Sequence, residues 1–170
     1  MPSRADQLEE RFVKLLNKRY PLGPAWTDPT FHCYCDLRPE LQSWAAMSFF
    51  EQETSNGGLA QVFWNSCPNE KELLLLCERG YRMIGATKQV EAIPAVRALF
   101  EKWNTEAVPY MRRAIEGDEK AFGEWCTKYY LNGEHHPDAL FFLSKDESPY
   151  RIRCQWLEAN AAKVEPFIDG

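Results

Sequence analysis

Apolar residues recur along this chain with helical rather than strand spacing. Leu8, Phe12, Leu15 and Leu16 fall at i, i+4, i+7 and i+8, which predicts a helix from about Ser3 to Arg19. Four prolines between residues 21 and 39 predict a long irregular segment, with Trp26, Phe31 and Tyr34 available to pin it to a core. Pro39 suits a first helical turn, and Leu41, Trp44, Ala45 and Phe49 continue that helix to Asn56-Gly57-Gly58. A break is expected there, because both glycines tolerate positive φ, and a short helix follows near Leu59 to Asn65.

Further along, Asn69 with Glu72 resembles a capping box for a helix bearing Leu73, Leu76, Cys77, Tyr81 and Ile84, which Gly85 ends or bends. Lys88 to Trp103 repeats the helical spacing, with a kink or fresh start expected at Pro94. Glu106 to Ile115 is similar and interrupted by Pro109. Asp118 is placed to cap a helix bearing Phe122, Trp125, Cys126 and Tyr129, with Asn132-Gly133 as its stop. Leu140-Phe141-Phe142-Leu143 is an apolar run of either type, and Ser148-Pro149 opens a last helix along Ile152, Leu157, Ala161 and Val164. No stretch alternates with period two, and no repeat or low-complexity linker divides the chain. The expected architecture is one all-α domain over residues 1–170, with about seven to nine helices.

Composition supports a packed core. Of 170 residues, 45% are hydrophobic and 14% aromatic, too much apolar mass for a disordered chain. Purely apolar runs such as Leu73 to Cys77 are far too short to span a bilayer, and residues 1–20 lack the apolar centre of a secretory signal. The expectation is a cytoplasmic protein with no membrane partner. In that setting a disulfide reading of the six cysteines weakens, and Cys77 and Cys126, inside apolar helical patterns, read as small hydrophobes.

Local motifs for chemistry are weak. His32, Cys33 and Cys35 lie within four residues and His135-His136 offers two more donors, but zinc sites use Cys pairs separated by two to four residues. No metal and no cofactor is expected. With three histidines and no nucleophile signature, no catalytic residue is assigned either. Asn56-Gly57-Gly58 precedes a helix as an anion nest does, but it lacks the lysine of a phosphate loop, and Glu51 and Glu53 upstream would repel an anion.

Charge placement is more informative. The net charge is −5, which argues against direct nucleic-acid binding. Residues 1–19 carry five basic and three acidic groups, whereas residues 20–78 carry eight acidic groups against Arg38 and Lys71. A carboxylate patch without counter-cations attracts a basic protein surface. Asp28, Asp36, Glu40, Glu51 and Glu53 are the leading candidates for such a patch, with Glu70, Glu72 and Glu78 behind them.

The stretch Glu53-Thr54-Ser55-Asn56-Gly57-Gly58-Leu59-Ala60-Gln61-Val62-Phe63-Trp64-Asn65-Ser66, followed by Ile84-Gly85-Ala86, resembles a bacterial domain family carrying an Asn-Gly-Gly motif. That family, of largely unknown function, includes the Neisseria DNA-mimic protein. The resemblance implies an all-α fold and, for the mimic, an acidic surface that binds a helix-turn-helix transcription factor and keeps it from its operator. Asn56, Gly57, Gly58, Gln61 and Asn65 read as structural: the glycines make the turn, and Gln61 and Asn65 are expected to bond neighbouring backbone. The departure from the mimic is the modest charge, which allows a phosphate-like patch but not a phosphate-like surface.

The leading functional expectation is a non-enzymatic regulator that binds a helix-turn-helix transcription factor through its acidic patch. Exposed apolar residues would support a homodimer that extends the patch by two-fold symmetry. The alternatives are an enzyme with a polar cleft near Asn56, Gln61 and Asn65, and an immunity-like protein that neutralises a basic partner. Glu51 and Glu53, two residues apart on a helix, point to different faces, which disfavours a shared acid/base site.

Overall fold

The computed structural model describes residues 2–20, 34–131 and 148–169. They form α1 (Arg4–Arg19), α2 (Pro39–Ser66), α3 (Glu70–Ile84), α4 (Thr87–Glu106), α5 (Val108–Ile115), α6 (Lys120–Cys126), a π-helical turn (Thr127–Leu131) and α7 (Pro149–Asp169). Seven helices and no strand occur among the described residues, so the chain has an all-α fold. None of these helices is long and apolar enough to cross a membrane.

α2 is the central element. It packs on α3, α4, α6 and the π-helical turn, while α7 lies along α1 and touches α3. Each end of α2 has its own aromatic centre. At the N-terminal end, Phe12 stacks on Trp44 with ring centroids 4.2 Å apart. At the C-terminal end, Trp125 lies within 4.1 Å of Tyr129, 5.5 Å of Trp103, 5.6 Å of Phe63 and 6.3 Å of Trp64. Trp125 is fully buried, and its indole N–H donates to the Ala60 carbonyl at 3.0 Å, so the ring leaves no polar atom unpaired. Where α2 and α3 cross, Gly80 allows close approach: a Cβ there would lie 2.7 Å from Met47 Sδ.

The helix signals resolve unevenly. Ser3 and Asp6 form a reciprocal capping box that starts α1, and Leu8 and Phe12 of the expected stripe are buried. Gly85 ends α3 in the left-handed conformation, at φ 80°. Asn69 precedes α3 but makes no capping bond, because its backbone (φ −96°, ψ 14°) is not in the extended conformation that aims a side chain at the first amides. α4 runs through Pro94 without a fresh start. Ile93 and Val96 beside the proline are buried, and that packing outweighs the lost backbone bond. Pro109 does not interrupt a helix; it occupies the first turn of α5. Asp118 accepts from the Lys120 amide at 3.0 Å at the start of α6. The expectations for Trp26, Phe31, Asn132-Gly133 and Leu140–Leu143 lie outside the described residues.

Candidate functional site

The Asn-Gly-Gly motif makes a kink inside α2 rather than a separation between two helices. Gly57 (φ −157°, ψ 22°) and Gly58 (φ 70°, ψ −171°) leave helical geometry, and helix continues on both sides. The Gly58 conformation is one that only glycine adopts without strain. Just before the kink, Thr54 and Ser55 turn their hydroxyls onto the carbonyls of Phe50 and Glu51, at 2.7 and 2.8 Å.

A side-chain clamp spans the bend. Glu53 Oε2 accepts from Gln61 Nε2 at 2.8 Å and from Asn65 Nδ2 at 2.7 Å. Gln61 and Asn65 lie eight and twelve residues on, one turn apart on the second segment, so both amides face the same carboxylate. This corrects the expectation that they bond backbone. Gln61 also packs against Gly57, where a Cβ would lie 2.2 Å from its Oε1. Asn56 is exposed. Replacing Glu53 with Ala leaves two half-buried amides without their acceptor, and the expected loss is about 1–3 kcal/mol by chemical denaturation, with helicity retained. An unchanged midpoint would show that the clamp holds nothing.

The candidate acidic residues do not share one environment. Asp28 lies outside the described residues. Asp36 is bound by Arg19 Nη1 at 3.0 Å and by the Tyr20 hydroxyl. These donors outweigh partial burial and hold its carboxyl below the usual range. Glu51 points into the protein, and Glu53 is spent on the clamp. Glu40 is exposed in the first turn of α2. Of the second group, Glu78 sits between Arg82 (2.8 Å) and Arg97 (3.0 Å). Glu70 is buried, with Oε1 accepting from Asn104 at 2.9 Å and Oε2 unbonded. Glu72 is exposed. Of the seven candidates among the described residues, only Glu40 and Glu72 are both exposed and without an ion pair there. The charge count did not reveal this, because it covered residues 20–78 alone, and the pairing cations lie outside them: Arg82 four residues past Glu78, and Arg19, Arg97 and Arg153 elsewhere in the chain.

One such cation organises a buried cluster. Arg153 on α7 is 4% exposed; its Nε donates to Glu9 of α1 and its Nη1 to Glu51 of α2, each at 2.7 Å. Glu9 also accepts from Trp44 Nε1 at 3.1 Å, and the Tyr81 hydroxyl of α3 reaches Glu51 at 3.4 Å. Burial pushes the Glu51 carboxyl up, against the opposing pull of Arg153. The Arg153 guanidinium stays charged, because two carboxylates overcome its own burial. No local pattern of residues signals these pairs, whose members are 144 and 102 residues apart.

Beside this cluster, α2, α3 and α7 enclose a cavity of about 570 Å³. Trp44, Met47, Ile84, Trp156 and Leu157 form its apolar walls, Arg153 contributes to its lining, and Glu40, Asn160 and Lys163 are its other polar residues. Among the described residues no group of three or more His, Cys, Asp or Glu is placed to hold a metal ion. His32, Cys33, His135 and His136 lie outside them, and Cys35 is an exposed free thiol.

Against known proteins, the chain matches no curated protein and no solved structure. Residues 35–160, which include the kink, its clamp and Arg153, match the family described as DMP19-like protein. A match over that much of the chain fixes its membership: this protein belongs to the DMP19-like family.

Proposed function

We propose that this protein is a non-enzymatic regulator of the DNA-mimic kind, which binds a DNA-binding protein of the helix-turn-helix type and keeps it from its operator. The observation that carries the reading is family membership over residues 35–160, in the family that includes a DNA-mimic protein. The physical requirement is carboxylates that face solvent without a cation of their own. Glu40 and Glu72 meet it among the candidates, and Glu91 and Glu101 on α4 are likewise exposed with no ion pair among the described residues. Asp36 keeps half its side chain exposed, at 51%, and joins the surface only if the partner displaces Arg19. A net charge of −5 calls for a local patch rather than an anionic surface as a whole.

The test is capture of helix-turn-helix proteins from a bacterial lysate at low salt, followed by competition with operator DNA. Glu40→Lys combined with Glu72→Lys is expected to weaken the captured complex at least about tenfold, or roughly 1.4 kcal/mol. Binding should also fall as ionic strength rises. Affinity untouched by the double reversal removes these residues from the interface. Reversing Glu51 or Glu53 would not test binding, since both hold the fold.

A further inference from the structure

The cluster at Arg153 sets two carboxylates against one guanidinium in a largely buried site. The side chains of Glu9 and Glu51 are each 15% exposed, and that of Arg153 is 5% exposed. The groups facing Glu51 are Glu9 from α1, Cys77 and Tyr81 from α3, and Arg153 from α7. With both acids ionised, the cluster holds one negative charge more than its cation can match. In a poorly solvated site the direct relief is a proton on one carboxylate.

The hydrogen bonds indicate which acid takes it. The second oxygen of Glu9 accepts from the Trp44 indole, a group that only donates. A proton on that oxygen would weaken the bond, because a neutral hydroxyl oxygen accepts less strongly than a carboxylate oxygen. The second oxygen of Glu51 faces the Tyr81 hydroxyl, which can donate or accept. A protonated Glu51 therefore keeps its Tyr81 partner and still accepts from Arg153 through its other oxygen.

We propose that Glu51 is a proton-binding site that couples pH to the hold of α7. With the proton in place, the cluster is neutral and fastens α7 to α1 and α2. Loss of the proton leaves an unmatched negative charge at that junction, weakens the hold and widens the cavity between α2 and α7. The sign follows from Glu51 ionising less readily in the fold than in the unfolded chain. The stability from this site is complete below the unfolded carboxylate range and is lost as pH rises through the raised folded value.

The direct experiment is a carboxyl-carbon NMR titration of the full chain, labelled at glutamate, between about pH 4 and 9. The Glu51 resonance is assigned through its own backbone, so no variant is needed. It is expected to titrate above the ordinary carboxylate range; a midpoint within that range overturns the proposal. A second measurement compares thermal midpoints of the wild type and Glu51→Gln over the same pH span. The variant should gain on the wild type by several degrees as pH rises, and parallel curves refute the coupling. The fluorescence of an apolar naphthalene-sulfonate dye should rise with pH in the wild type. A flat response rules out the opening of the cavity.

Discussion

Arg153→Met is expected to destabilise the protein by about 3–5 kcal/mol, the cost of leaving a buried carboxylate without its partner. Here two carboxyl groups lose the same partner, and α7 loses its ionic tie to α2 and one of its ties to α1, while Glu165 still pairs with Arg4 and Arg11. For a chain of this size each kcal/mol lowers the thermal midpoint by about 2–4 °C, so the shift is large enough for an ordinary melting curve. The mechanism predicts its own rescue. Adding Glu9→Gln and Glu51→Gln removes the stranded charges and should restore most of the loss, whereas a deficit due to lost packing would persist. A single-variant effect below about 1 kcal/mol, typical of exposed ion pairs, would mean that water reaches the cluster.

Gly58→Ala is the second large expected effect. At φ 70° and ψ −171° the residue occupies a region almost closed to L side chains, with a cost on the order of 1–3 kcal/mol. Gly58 is also buried. Gly85→Ala is a useful comparison. It also has positive φ, at 80°, but ψ is 21°, and beyond its chain neighbours no described residue comes within 4 Å of the added carbon. That is ordinary left-handed geometry, so its cost should be smaller. Denaturant unfolding of the two variants side by side checks the order, and equal losses would contradict a special role for the kink.

Signals confined to one helical turn were legible in the sequence. The α1 stripe, the Pro39 start, the Gly85 stop and the bend at Asn56-Gly57-Gly58 depend on neighbours within a few residues, which period and turn chemistry report directly. Pro94 and Asn69 misled because a local preference met a competing condition: burial of Ile93 and Val96 in one case, an unsuitable backbone in the other. The acidic set was the least legible part. A count along the chain registers Asp36, Glu51, Glu53 and Glu78 as unmatched charge, but Arg19, Arg153, Gln61, Asn65, Arg82 and Arg97 reach them in the fold. The Glu53 clamp left a readable trace, since its amides stand one turn apart beyond a glycine bend. The Arg153 pairings left none.

The aromatic centre around Trp125 has a spectroscopic consequence. Trp103 and Trp125 lie 5.5 Å apart with ring planes at 81°, and Trp64 and Tyr129 crowd the same indole. Chromophores this close and this skewed mix their excited states, so they add circular dichroism bands that overlap the far-ultraviolet signal of the peptide groups. Ellipticity for this protein therefore blends backbone order with ring geometry. A variant that only rotates one indole would change the curve while every helix stays intact, and amide exchange is the sounder gauge of its folding.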